Sequence, residues 1–171
     1  MTGTGYVSAN FSAWGGFATT ILLIVMFIGG CGGSTTCGIK VFRLQVLAGT
    51  AKVQISRLLR PHAVVLAYYN KRPVSVEVMD SVMGFFYLFI LGFVLIAIML
   101  GIAGLDFVTA LSGAATSISN VGPGLGEVIG ADGNFSTLPD SAKWIMTFAM
   151  LLGRLEIFTV LVMLNPAFWQ R

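Results

Sequence analysis

The chain has 171 residues, 56% of them hydrophobic and 10% charged, with a formal net charge of +3. A soluble domain carries about 25% charged residues, so the composition excludes an ordinary soluble domain. The basic excess is not a nucleic-acid footprint, because it lies between two long uncharged apolar runs, where membrane orientation explains it better.

Residues 1–13 are uncharged and rich in Gly, Thr, Ser and Asn, which reads as a loop at a membrane surface. They lack the basic n-region of a cleavable signal, and the Gly/Thr stretch directly after Met1 suggests that further chain precedes it. A run of ~20 apolar residues crosses the ~30 Å hydrocarbon core as a helix. Three such spans fit, at 14–38, 81–104 and 144–164, with Trp14 and Trp144 at their starts, where aromatic anchors prefer the interface. The first span is solidly apolar up to Ile28 and then breaks at GGCGGSTTCG, residues 29–38. Each glycine loosens a helix by ~1 kcal/mol relative to Ala. Irregular backbone at membrane depth survives only inside protein or beside a water-filled cavity, so the break implies a cavity. Cys31 and Cys37 fall in this stretch and are expected to be buried thiols rather than a disulfide or a metal site.

Segment 40–80 carries Lys40, Arg43, Lys52, Arg57, Arg60, Lys71 and Arg72 against Glu77 and Asp80. Segment 105–143 carries Asp106, Glu127, Asp132 and Asp140 against Lys143. Cytoplasmic loops hold the excess of Lys and Arg, which puts 40–80 inside and 105–143 outside. Residues 40–72 read as one or two surface helices interrupted by Pro61. Residues 105–118 form a moderately apolar stretch with Asp106 at its helix start, too short to span, and then turn glycine-rich as SNVGPGLG. A short helix that ends in a Gly-rich loop between two spans is the pattern of a pore loop, with a soluble lid as the alternative. Residues 127–140 read as an acidic external loop, and the last span ends near Asn165-Pro166.

The two ends of the chain share a plan. TGTGYVSANF and SNVGPGLGEV each lead through a polar link and a Trp into an apolar span. The expected fold is therefore all-α and integral to the membrane, built of helix–pore-loop–helix repeats of a potassium-channel-like pore, one partial and one complete. The organisation follows: 1–40 ends one repeat, 41–80 is a cytoplasmic basic connector, and 81–171 is a complete repeat. Rings of backbone carbonyls replace an ion's water in a potassium filter. Residues 2–6, TGTGY, suit that task, and Asn120-Val121-Gly122-Pro123-Gly124 matches more loosely. The C-terminal end of the short helix before Asn120 adds about −0.5 of an elementary charge, which favours a cation. Arg154 and Glu156 sit in the last span, two residues apart and on nearly opposite faces, so each needs a partner elsewhere. Arg154 reads as pore-facing, a positive barrier below a cation filter; for Glu156 a structural ion pair and a functional role both stand. Nothing points to an enzyme: His62 stands alone, and there is no His/Cys/Asp cluster, phosphate loop or paired helix carboxylates.

GGCGGSTTCGIKVFR, LDFVTALSGAATSISNVGPGLGEV and SAKWIMTFAMLLGRLEIFTVLVMLNPAFW strongly resemble the C-terminal part of Trk-type potassium uptake proteins of the Trk/Ktr/HKT superfamily. The resemblance covers essentially the whole chain and implies four repeats around one pore, of which this chain holds the end of the third and all of the fourth. It implies that Thr4, Gly5 and Tyr6 form the third filter segment and Asn120, Val121 and Gly122 the fourth, with potassium at the carbonyls of Thr4, Gly5, Asn120 and Val121. It implies a gate of Gly29, Gly30, Gly32, Gly33, Ser34, Thr35 and Gly38 with Arg154 projecting toward them. It further implies a multi-pass protein of the bacterial inner membrane, bounded by lipid, a homodimer with a cytosolic nucleotide-binding regulatory subunit, and no cofactor beyond the transported potassium. Three features depart from the family pattern: the first two repeats are missing, Gly3 replaces a bulkier residue, and Cys37 stands where glycine is expected. A sodium-selective or sodium-coupled relative, and a non-conducting truncated membrane fragment, are the alternatives.

Overall fold

The computed structural model describes residues 5–31, 33, 34, 36–60, 67–70, 72–155, 159, 162, 163 and 166–169. Helix α1, Gly16–Phe27, is GFATTILLIVMF, an apolar run with no internal breaker, preceded by a one-turn 3-10 helix at Phe11–Trp14. At 1.5 Å per residue its 12 residues reach about 18 Å, little more than half the hydrocarbon thickness. It stops at Ile28, whose backbone is extended. The break expected at the glycines is thus real, and the stretch 14–38 is not one continuous helix.

The chain then makes a closed loop. Ile28 and Ile39 form a parallel bridge; Gly29 N donates to Ile39 O (2.9 Å), Ile39 N to Phe27 O (2.8 Å) and Val41 N to Gly30 O (3.2 Å). Helix α2, Val41–Leu59, follows, with Val46 and Val53 buried. Two short antiparallel strands, β1 (Tyr68–Tyr69) and β2 (Arg72–Pro73), pair Tyr68 with Pro73 and Tyr69 with Arg72.

Helix α3, Val76–Ile102, has 27 residues, or about 40 Å, and among the described residues it is the one helix long and apolar enough to cross a membrane. It ends at Ala103-Gly104, where Leu105 N returns to Leu100 O (3.3 Å). Helix α4, Phe107–Ser119, starts at Asp106, whose carboxylate accepts Thr109 N (3.2 Å), and ends at Asn120 in the left-handed conformation. Small side chains let neighbouring helices close around it: Thr109, Ala110 and Ser112 through Ser119 are all buried. A single turn, α5 (Gly126–Ile129), and a 3-10 turn (Phe135–Thr137) lead into α6, Asp140–Arg154.

The core surrounds α4. Phe85, Phe89, Ile96 and Leu100 of α3 meet Ala110, Ala114 and Ile118 of α4 and Ala142, Met146 and Ala149 of α6. Met26 of α1 joins Phe11, Ala115, Val121 and Leu125 in a second cluster, which seats α1 against α4 and the segment after it. In contrast, α3 turns Tyr87, Ile90, Val94, Ile98 and Ile102 outward, as suits lipid or further protein.

Candidate functional site: two glycine loops and a loop below them

The segment after α4 is held by its N–H groups. Val121 N donates to Thr116 O (3.0 Å), Gly122 N to Thr116 Oγ1 (2.9 Å), Gly124 N to Ile129 O (2.7 Å) and Leu125 N to Ser112 Oγ (3.0 Å). Every one of these bonds points back into α4 or α5. Among the described residues no hydrogen bond reaches the carbonyls of Asn120, Val121 or Gly122. Asn120, with φ 52°, turns the corner, and its Nδ2 donates to Met150 O of α6 (3.0 Å).

Gly5 lies directly against this segment. A Cβ placed on Gly5 would stand 2.3 Å from Val121 O and 3.3 Å from Gly122 Cα, and one on Gly122 would stand 3.5 Å from Gly5 Cα. Both residues have positive φ, +74° and +113°, a region that L side chains rarely adopt. Two glycines far apart in sequence therefore meet backbone to backbone. Tyr6 is 90% exposed and, with Phe11, Trp14, Val121 and Pro123, lines a cavity of about 300 Å³. Thr4 lies outside the described residues. Asn10 Nδ2 donates to an Asp132 carboxylate oxygen and ties the segment before α1 to the loop before α6.

Beneath lies the loop between α1 and α2. Gly29 packs so closely that a Cβ would meet Cys37 O at 2.5 Å, Gly30 abuts Thr36, and Gly38 lies beside Phe27 O. Ser34 Oγ and Thr36 Oγ1 are 2.7 Å apart, and a Cβ placed on Gly33 would meet no atom of the described residues within 4 Å. Gly32 and Thr35 lie outside the described residues. Arg154 Nη1 donates to Cys37 Sγ at 3.6 Å, so the arginine and the loop are in contact. Arg154 does not lie midway along a continuous helix, however: α6 ends on it, with Leu155 as its cap. Glu156 and His62 fall outside the described residues. The cysteines also need correcting. Both are free thiols, but Cys31 is exposed and Cys37 only half-buried. The helix stops at Phe27, so these residues ride on a loop that opens to a cavity instead of packing inside a helix.

Three participants were missed from sequence. Thr116 and Ser112 anchor the second glycine segment, and Gly153 lets α6 touch α4, since a Cβ there would fall 1.9 Å from Ile118 O. The available signal was a run of small and hydroxyl residues, SGAATSIS, all of them buried in the structure.

A family model described as "TrkH: Cation transport protein" matches residues 1–171, the whole chain. The chain belongs to the TrkH family. This TrkH-family chain is 47% identical over 171 residues to the Trk system potassium uptake protein TrkI of Halomonas elongata, covering 100% of the chain and 35% of that protein. It is 37% identical over 169 residues to the Trk system potassium uptake protein TrkH of Escherichia coli K12, covering 99% of the chain and 34% of that protein. Its fold matches the crystal structure of the potassium transporter TrkH from Vibrio parahaemolyticus with a TM-score of 0.87 at 39% identity, covering 98% of this chain and 36% of that one. The chain thus spans about a third of the length of the relatives it matches. The all-α, pore-loop membrane fold expected from sequence is the fold of this family.

Proposed function

We propose that the protein to which this chain belongs takes up potassium through a filter of four backbone segments, two of which lie here. The reading rests on one observation: Gly5 and Gly122 abut with positive φ while the N–H groups of 121, 122, 124 and 125 are tied back to α4 and α5. That leaves carbonyls as the groups able to replace potassium's water. The carbonyls of Thr4, Gly5, Asn120 and Val121 are the assigned ligands. Transport, not catalysis, is the activity. The relatives named above carry potassium uptake in their names, which favours potassium over a sodium-selective variant.

The loop at 29–38 and Arg154 act as the gate below the filter. The chain's three-part organisation at 1–40, 41–80 and 81–171, a multi-pass location in the bacterial inner membrane, a homodimer and a cytosolic nucleotide-binding regulatory subunit complete the reading. The test is Gly122→Ser in the full-length protein reconstituted in liposomes. A side chain there disturbs carbonyl placement, so potassium uptake should fall relative to sodium uptake. Equal uptake ratios in variant and parent would remove Gly122 from the filter.

A further inference from the structure

The segment after α4 is not held evenly along its length. Its later residues are anchored by two hydroxyls of α4: Ser112 Oγ accepts the Leu125 N–H at 3.0 Å, and one turn on Thr116 Oγ1 accepts the Gly122 N–H at 2.9 Å. Ser119 continues the same helical stripe, at the i, i+4, i+7 spacing that puts side chains on one face. It is 3% exposed, yet its Oγ has no hydrogen-bond partner among the described residues. The hydroxyl ladder therefore stops one rung short of the corner. At the corner a different side chain takes over. Asn120 stands in the left-handed region, and its Nδ2 donates to Met150 O of α6 at 3.0 Å.

Met150 O is not an arbitrary acceptor. In an α-helix the N–H of residue i bonds the carbonyl of residue i−4, so Met150 O is the carbonyl that supports Arg154, the last residue of α6. Gly153 brings the two segments closer still: a Cβ on it would stand 3.1 Å from Asn120 Nδ2 and 1.9 Å from Ile118 O. One residue further, Arg154 Nη1 reaches Cys37 Sγ at 3.6 Å. Asn120, the last turn of α6 and the loop between α1 and α2 thus form an unbroken line of contacts. We propose that Asn120 is a positioning residue that couples the two proposed sites: its carboxamide fixes the last turn of α6 against the corner after α4, and so sets how Arg154 meets the loop. The backbone carbonyl of Asn120 remains an assigned potassium ligand, while its side chain serves α6. The coupling is reciprocal, since a link that lets the corner place Arg154 also lets a displaced Arg154 move the corner. Its meaning for transport rests on the filter and gate readings; the link itself does not.

The experiment reads the link without ion flux. Full-length protein in detergent is treated with a maleimide, and the alkylation rates of Cys37 and Cys31 are followed separately by mass spectrometry of their peptides. Cys31 is exposed on the same loop and serves as the internal reference. Two variants cut the strut in different ways. Asn120→Gly keeps the left-handed backbone without a side chain, and Asn120→Asp keeps the shape without the N–H donor. Arg154→Ala removes the arginine directly. The ratio of the Cys37 rate to the Cys31 rate should rise about five-fold in each Asn120 variant, the change expected when one hydrogen bond is lost. It should rise in Arg154→Ala as well, and Asn120→Gly combined with Arg154→Ala should add little. Equal acceleration of both cysteines would mean general loosening and would overturn the proposal. A parental ratio in Asn120→Gly or in Arg154→Ala would overturn it too, and a parental ratio in Asn120→Asp would assign the effect to volume instead of the hydrogen bond. Potassium and sodium uptake are then measured on the same variants: a raised cysteine ratio with unchanged uptake keeps the link and removes the filter and gate readings instead.

Discussion

Arg154 Nη1 and Cys37 Sγ lie 3.6 Å apart, and this contact joins the last residue of α6 to the loop between α1 and α2. The arginine's position is set from the filter side. Asn120 Nδ2 holds Met150 O at 3.0 Å, and Gly153 lets α6 meet the end of α4 backbone to backbone. The corner of one proposed filter segment and the arginine at the loop therefore belong to one packed block, while among the described residues three backbone bonds close the base of the loop.

From this contact follows the first prediction. Arg154→Ala removes a positive charge and a tie to the loop, so potassium flux through the full-length protein in proteoliposomes should rise several-fold. Shortening the loop within 29–38 should do the same. The double change should add little, because both disable one barrier. A folded Arg154→Ala protein that conducts less than its parent would rule out the arginine as a barrier.

The second prediction concerns orientation. Cysteines introduced at Lys52 or Arg57, with Cys31 and Cys37 replaced by Ser, should react with an impermeant maleimide only from the cytoplasm. One at Asp132 should react only from outside. Asp132 bonds to Asn10, so both outer loops share a face. Reversed labelling would invert the whole topology.

A third prediction follows from the cap of α4. The Asp106 carboxyl is held below its usual range by the Thr109 side chain, then by the Thr109 backbone N–H. A lowered folded-state pKa means that the contribution is present above the unfolded value and is lost as pH falls through the folded one. Asp106→Ala should cost about 1 kcal/mol near neutral pH. In thermal unfolding of the full-length protein, the gap between parent and variant should narrow once the pH drops below the ordinary range of an aspartate carboxyl. A gap independent of pH would mean that the carboxylate does not cap the helix.

Much of this was legible in the sequence because membranes write in bulk. Uncharged runs marked the apolar segments, and glycine clusters at 29–38 and 122–124 marked irregular backbone. The resemblance supplied the pairing of Arg154 with the loop, and the structure brings the two together. Less legible was where helices end. The apolar pattern runs on past Phe27 and past Arg154, yet α1 and α6 stop there, because termination depends on what the freed carbonyls and N–H groups meet in three dimensions. For the same reason the cysteines were misjudged: membrane depth does not imply burial where a loop borders a cavity. Thr116 was invisible as an anchor, since a threonine in a short apolar helix signals nothing about a bond to a residue six positions on.

That bond carries the last prediction. Thr116 is fully buried, and its Oγ1 accepts the Gly122 N–H at 2.9 Å. Thr116→Val keeps the shape of the side chain and removes the acceptor. A donor left unsatisfied costs about 1–3 kcal/mol when buried, and the backbone relieves that cost by turning the N–H elsewhere. Rotation of the 121–122 peptide moves the Val121 carbonyl with it, since the peptide unit is planar. The Val121 carbonyl is an assigned potassium ligand, so selectivity should suffer more than folding. Thr116→Ser keeps an acceptor and should behave like the parent. The measurement is potassium uptake in competition with sodium, alongside thermal unfolding, for both variants of the full-length protein. The expected result is a lower potassium-to-sodium ratio in Thr116→Val with only modest loss of stability. If the valine variant selects potassium as well as the serine variant does, the Gly122 N–H is not what fixes the filter backbone.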